Sequence, residues 1–436
     1  MAHYLPSTDV QRAEMLGAIG RGSIDELYAA VPQLLLQESG PNIPAGLSEL
    51  EVTRKMSRLA EKNTVFRASF RGAGAYRHYR PAIVDAVTSK ETFVTAYTPY
   101  QAELSQGILQ SIFEYQTMIA ELMGLDSSNA SVYDGATATA EAAAMCRDRK
   151  RGVTLISETA HPEVIETVKT YCWAANNEVR VIPAKDGLTD LDELRKNMSE
   201  DVSGVYLMQP NYFGLIEDCE AAAEIIHEGG AKCIMGVNPI AAAILRSPGE
   251  CGADIAVGEG QPLGMPLSFG GPYLGFMAAT GAMTRKLPGR IVGQTTDDTG
   301  RRAFVLTLQA REQHIRREKA GSNICSNQAL CAMTAAVYLA AMGPRGLKEV
   351  AAQCFSKAHY LARELEACGF KRRHDAEFFH EFLTECPVDT AKLEEHLARH
   401  GILAGAFTHG GILWCATEMN TKEEIDRLIT LIKEVA

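Results

Sequence analysis

The stretch that decides the fold is "ADIAVGEGQPLGMPLSFGGPYLGF", running from Ala253 to Phe276. A short apolar strand, Ile255-Ala256-Val257, enters a glycine-broken polar turn and is followed by a second strand. Upstream, "VSGVYLMQP" from Val202 and "AKCIMGVNP" from Ala231 are further apolar strands, separated by helical sequence such as "CEAAAEIIHEGG". "NASVYDGATATAEAAAMCRDR" from Asn129 gives a strand, an Asp134-Gly135 turn and an alanine-rich helix. "GVTLISETAHPEVIETVKTYCWAANNEVRVIP" from Gly152 gives strand, helix, strand. Near-continuous apolar strands alternating with helices predict a mainly parallel sheet covered on both faces. Such sheets bind ligands at the carboxyl ends of their strands, where the turn after Val257 falls. No lysine occurs between Lys232 and Lys286.

Three segments follow from the pattern: a helical arm over 1–65, an α/β domain over 66–320 and a small C-terminal α/β domain over 321–436. In the arm, "SELEVTRKMSRLAEKN" places Glu51 three residues after Ser48, the spacing of a capping box, with Leu50, Met56 and Leu59 loosely on one face. An arm of this kind packs on a neighbouring subunit or on its own domain. In the last segment, "NQALCAMTAAVYLAAMG" is an apolar helix that links domains. "LKEVAAQCFSKAHYLARELEACG" aligns Leu347, Val350, Ala351, Cys354, Ala358, Leu361, Leu365 and Cys368 on one stripe, stopped by Gly369. A strand in "FFHEFLTE", a helix in "DTAKLEEHLARHG", a strand in "GGILWCATE" and a terminal helix in "TKEEIDRLITLIKEVA" complete it.

The formal charge of −11 argues against nucleic acid as a partner, which requires a dense positive footprint. The eleven cysteines are scattered, with no CxxC pair and no Cys/His spacing of a zinc site, so they read as reduced structural thiols and no metal is expected. "MAHYLPSTDVQRAEM" has no apolar core for a secretion signal and contains Asp9 and Glu14. No apolar run approaches membrane-spanning length. The expectation is a cytoplasmic protein without a membrane partner.

Generic nucleotide and hydrolase motifs are missing: no GxxxxGK[ST], GxSxG or HExxH occurs. "RGAGAYRHYR" from Arg71 reads as a polar surface loop in preference to an anion site. "YDGATATAEA" sets Gly135 and Thr137 at a helix start, where backbone N–H groups suit a phosphate, and capping by Asp134 or Thr137 is an equal reading. His161 in "SETAHPEVI" stands at another helix start, where capping or packing is the commoner role and stacking on a flat heterocycle the alternative. "TAYTPYQAELSQG" gathers Tyr97, Thr98, Tyr100, Gln101 and Glu103 in one loop, rings with polar tips that suit a small-molecule wall or a well-capped loop. Arg311 in "LTLQAREQHIRREKAGSNIC" suits a carboxylate; most of that charge run reads as solvated.

Together, "TAYTPYQAELSQGILQSIFEYQTMIAELMGLDSSNASVYDGATATAEA", "PGRIVGQTTDDTG" and "LTLQAREQHIRREKAGSNIC" resemble glycine dehydrogenase (decarboxylating), the P-protein of the glycine cleavage system. The similarity covers nearly the whole chain. The length matches the first of the two subunits found where the P-protein is split, the lysine-lacking alpha subunit. The resemblance implies a fold-type I pyridoxal-phosphate (PLP) transferase-like architecture, aspartate aminotransferase-like, with a large parallel-sheet domain and a small C-terminal domain.

The resemblance also implies the site. Set against the family's "NLHK"-like turn, "VGEGQPLG" puts Gln261 at the lysine position. "CIMGVNP" puts Met235 where an aspartate meets the pyridine nitrogen, and His161 takes the place of the ring-stacking histidine. An amide nitrogen is not nucleophilic, so Gln261 cannot anchor a carbonyl cofactor as a lysine amine does. The implied enzyme is an alpha2beta2 heterotetramer with glycine dehydrogenase subunit 2. PLP is covalently bound on that partner, glycine is decarboxylated, and the aminomethyl group passes to the lipoyl group of the H-protein. Tyr97, Thr98, Tyr100, Gln101, Glu103 and Arg311 are then expected to bind substrate, and His161, Gly135 and Thr137 mark a vestigial cofactor site. Two other readings stay open: a self-sufficient PLP enzyme using a lysine such as Lys286, and a non-catalytic scaffold.

Overall fold

The computed structural model describes residues 7–36, 42–408 and 410–435. The chain divides into two compact units, Met1–Thr64 and Val65–Ala436. The first unit has helices Asp9–Ala18 and Glu49–Ala60. Each opens with a reciprocal capping box, Thr8 with Gln11 and Ser48 with Glu51, the second at the spacing the sequence predicts. Neither helix buries a residue, and Leu50, Met56 and Leu59 are exposed.

The second unit is organised by a seven-stranded sheet: β1 (Ser127–Ser128), β2 (Val153–Ser157), β3 (Val179–Ile182), β4 (Val202–Gln209), β5 (Lys232–Val237), β6 (Ile255–Glu259) and β7 (Gly275–Ala279). The order across it is β1-β7-β6-β5-β4-β2-β3. Strands β2 to β6 are parallel, whereas β7 runs antiparallel to both its neighbours. Successive side chains of a strand face opposite ways, and here both faces are buried. Leu155, Val205, Leu207, Cys233, Met235 and Ala256 enter one core cluster. Ile156, Tyr206, Ile234, Ile255 and Val257 enter another. Helices Gln106–Met123 and Cys219–Glu228 cover the first face. Helices Gly135–Cys146 and Pro162–Ala174 cover the second. This is the doubly covered α/β sheet expected from the unbroken apolar strands.

A three-stranded antiparallel sheet, Glu381–Thr384, Gly411–Cys415 and Ala406–Thr408 in spatial order, carries helices Thr390–Arg399 and Lys422–Lys433 around Trp414, Phe370 and Leu393. Helix Ala329–Glu366 runs from the large core, through Ala332 to Cys354, into the small one, through Ala358 to Leu365. By length and composition it is apolar enough to cross a membrane, which the expectation of no spanning run overlooked. It is not one continuous rod, however. Gly343, at φ 61°, breaks it ahead of Pro344, and fourteen of its side chains are buried in the protein. The eleven cysteines are all free thiols.

Candidate functional site

Strand β6 ends at Glu259, and the carboxylate turns back to collect three backbone donors. Oε1 accepts from Gln261 N at 3.0 Å and Leu274 N at 2.9 Å; Oε2 accepts from Gly135 N at 3.0 Å. Burial raises Glu259 above the usual carboxylate value, and the charge of Asp134 adds to that, while the three N–H groups pull it down. Gly135 is glycine because the helix start touches the strand end: a Cβ there meets Glu259 N at 2.9 Å and Gly258 C at 3.1 Å. Two positions further on, Thr137 N is capped by Asp134 Oδ1 at 2.7 Å. Carboxylates of the chain itself therefore serve the helix start over Gly135 and Thr137.

Two residues beyond Glu259, Gln261 is 1% exposed. Its Oε1 accepts from Tyr76 N, and its Nε2 donates to Tyr76 O and Met265 O, all at 2.9 Å. The amide thus pairs with a backbone segment as a neighbouring strand does. That segment belongs to "RGAGAYRHYR", expected as a surface loop and found wedged into the site. Ala73 N and Tyr76 Oη both donate to the Glu381 carboxylate at 2.6 Å. His161 Nδ1 accepts from Glu163 N at 3.1 Å, which leaves the proton on Nε2, and Nε2 donates to Ala73 O at 3.0 Å. His161 is thus a helix cap and a loop anchor, with Tyr212 edge-on at 5.1 Å. Burial pushes Glu381 up to about 7, and it holds Tyr76 far above its ordinary value with help from the Glu381 charge. Further along the loop, His78 Nδ1 donates to Glu418 at 2.8 Å and Cys354 Sγ donates to the same oxygen at 3.3 Å, a cluster no sequence spacing announces.

PLP needs an amine to bond its carbonyl, open N–H groups for its phosphate and a partner for its ring. Here the amine position holds a fully engaged amide. The helix start faces the Asp134 and Glu259 carboxylates, which repel a phosphate. His161 is committed to Ala73, and Met235, 1% exposed, lies in the apolar core. The residues present do not fit that cofactor on this chain: His161, Gly135 and Thr137, expected at a cofactor site, make their contacts within the chain. Lys286, the alternative anchor, donates to Met145 O near the far end of helix Gly135–Cys146.

The other expected residues divide. Tyr97 is fully exposed, and Thr98, Gln101 and Glu103 are exposed around it. Tyr100 is half-buried: its hydroxyl donates to Asn327 Oδ1 and its ring lies 5.2 Å under the Arg290 guanidinium. Arg311 is not with them. Its Nη1 donates to Leu287 O and its Nη2 to Gly289 O at 2.7 Å, in a cavity that no residue of 97–103 lines. Glu259, Tyr76 and Glu381 were not foreseen as site residues. The one sequence signal was the acid two positions before Gln261, in the turn that the fold singles out.

A family model described as "Glycine cleavage system P-protein" matches residues 2–432. Over 99% of this chain and 100% of the relative, the sequence is 46% identical to "Probable glycine dehydrogenase (decarboxylating) subunit 1" of Desulfitobacterium hafniense. A Bacillus subtilis protein of the same name is 46% identical over 98% of this chain and 97% of its own. The crystal structure of glycine decarboxylase (P-protein) of the glycine cleavage system, in inhibitor-bound form, superposes with a TM-score of 0.93 at 41% identity, covering both chains completely. Sphingosine-1-phosphate lyase of Burkholderia pseudomallei, at 14% identity, TM-score 0.66 and 94% of each chain, shares the fold alone. The architecture is the aspartate aminotransferase-like, fold-type I architecture of PLP enzymes, and the chain belongs to the P-protein family of the glycine cleavage system.

Proposed function

We propose that this chain is the non-anchoring subunit of a split glycine decarboxylase, and that it completes an active site whose PLP is covalently held by the partner, glycine dehydrogenase subunit 2. The observation that carries this reading is Gln261. The chain keeps the fold of a PLP enzyme, yet the lysine position is an amide locked to Tyr76. The bound cofactor supplies the electron sink for loss of the carboxylate as CO2, and the aminomethyl group passes to the lipoyl arm of the H-protein. In this reading the two subunits form an alpha2beta2 heterotetramer in the cytoplasm.

The part assigned to this chain is a wall. Tyr97, Thr98, Gln101 and Glu103 are exposed on a loop held from behind by Tyr100, which ties it to Asn327, and by Gln106, whose amide bonds Ala102 O and both backbone groups of Phe304. A firmly anchored loop with exposed rings and polar tips is suited to closing a neighbour's pocket against water and orienting a small substrate. Arg311, expected in the same wall, is left out of it, because both its Nη atoms are committed to main-chain carbonyls elsewhere.

The test is reconstitution. Glycine decarboxylation, followed by exchange of labelled bicarbonate in the presence of lipoylated H-protein, is expected only when this chain and subunit 2 are mixed. Full activity of subunit 2 alone contradicts the shared site, and activity of this chain alone contradicts the loss of the cofactor.

A further inference from the structure

Helix Gly135–Cys146 ends beside a second feature. A cavity of about 240 Å³ lies among its last turns, the 285–289 segment and the 311–324 segment. Arg147, Arg285, Lys286, Arg311, Arg316 and Lys319 all line it. In a chain of net charge −11, six cations around one small hollow are far from the average surface.

None of the six makes an ion pair among the described residues. Glu312, also in the lining, pairs through Oε2 with Arg290 at 2.9 Å, with His314 at 3.8 Å, and its buried Oε1 has no partner among the described residues. The hydrogen bonds of three of the cations go to backbone carbonyls: Lys286 bonds Met145 O, Arg311 bonds Leu287 O and Gly289 O, and Arg147 Nε bonds Ala143 O. Arg311 Nε is buried with no partner among the described residues. The other acid in the lining, Glu141, is 4% exposed, and burial pushes it up to about 7, so it carries only part of its charge near neutrality. An excess of cations around a concavity concentrates field and favours multivalent anions, and here six cations face two acids. The volume lies below the ~300–1,000 Å³ common for drug-sized ligands, which points to a compact one.

We infer that this cavity is a binding site for a compact anion with two or more negative groups, either phosphoryl groups or clustered carboxylates. The inference does not depend on the role proposed above for loop 97–103.

The experiment is calorimetric titration of the full chain with pyrophosphate and, separately, with citrate. Saturable one-site binding of at least one of them is expected, and the tighter of the two tells phosphoryl from carboxylate ligands. The double variant Arg285→Ala/Arg316→Ala, which removes exposed side chains, weakens that binding on the order of tenfold or more, whereas remote Lys348→Ala does not. Glu141→Gln, which removes the opposing charge, tightens it. No saturable binding of either anion at millimolar concentration overturns the inference, as does binding that the double variant and Lys348→Ala weaken equally.

Discussion

The side chain of Gln261 and the backbone of Tyr76 are paired on both sides: Oε1 accepts from Tyr76 N and Nε2 donates to Tyr76 O, each at 2.9 Å, although 185 positions separate them in the chain. Truncation leaves buried main-chain groups without partners, at a cost of about 1–3 kcal/mol for each group stranded. Three groups are stranded, Tyr76 N, Tyr76 O and Met265 O, so Gln261→Ala is expected to lower unfolding stability by at least roughly 3 kcal/mol in urea titration. Gln261→Lys does not restore a cofactor site, because the Asp134 and Glu259 carboxylates still face the helix start. Added PLP is expected to give that variant no stable visible absorbance band after gel filtration.

Glu381 supplies a pH signature. Its folded value, about 7, is raised above the usual 4.5 because the carboxyl is buried. The folded state therefore holds the proton more tightly than the unfolded chain does. The resulting stability is complete below about 4.5 and is lost as pH rises through about 7. The window corresponds to about 3 kcal/mol. Glu381→Gln cannot titrate there, so wild-type stability relative to the variant is expected to fall by up to that amount between pH 5 and pH 8. A pH-independent difference contradicts the assignment. Glu141 titrates in both proteins and cancels.

Gly135→Ala places a methyl group 2.9 Å from Glu259 N and 3.1 Å from Gly258 C. Neither neighbour is the free end of a side chain, so the helix start has to back away from the strand end. The expected loss is about 1–3 kcal/mol, read as a lowered urea midpoint with an unchanged slope.

Tyr97 has the opposite profile. It is fully exposed, so Tyr97→Ala is expected to leave the unfolding free energy of this chain within about 0.5 kcal/mol. Glycine decarboxylation by the assembled pair, in contrast, is expected to fall by about tenfold or more, the size of a lost substrate-orienting contact. Unchanged activity in the mixture removes loop 97–103 from the active site.

The fold was largely legible because its signal is local. Strands such as "VSGVYLMQP" are apolar on both faces only when a sheet is covered on both faces, and the helices between them carry their own caps. Gln261 was legible only through the family turn that it departs from. The 71–80 loop was misread as surface because its ties, Gln261 to Tyr76 and Glu381 to Ala73, span 185 and 308 positions, and no periodicity encodes such contacts. The surroundings of Arg311 were not legible for a related reason. A charge run shows that arginines are present, but the carbonyls that hold each one come from segments about twenty residues away, Leu287 and Gly289.

The central claim is that the cofactor-bearing lysine of this enzyme lies outside this chain. Borohydride reduction of the reconstituted two-subunit enzyme in the presence of PLP, followed by mass mapping of the modified lysine, tests it directly. The account predicts a phosphopyridoxyl label on subunit 2 alone. Stoichiometric label on a lysine of this chain, Lys286 foremost, contradicts it.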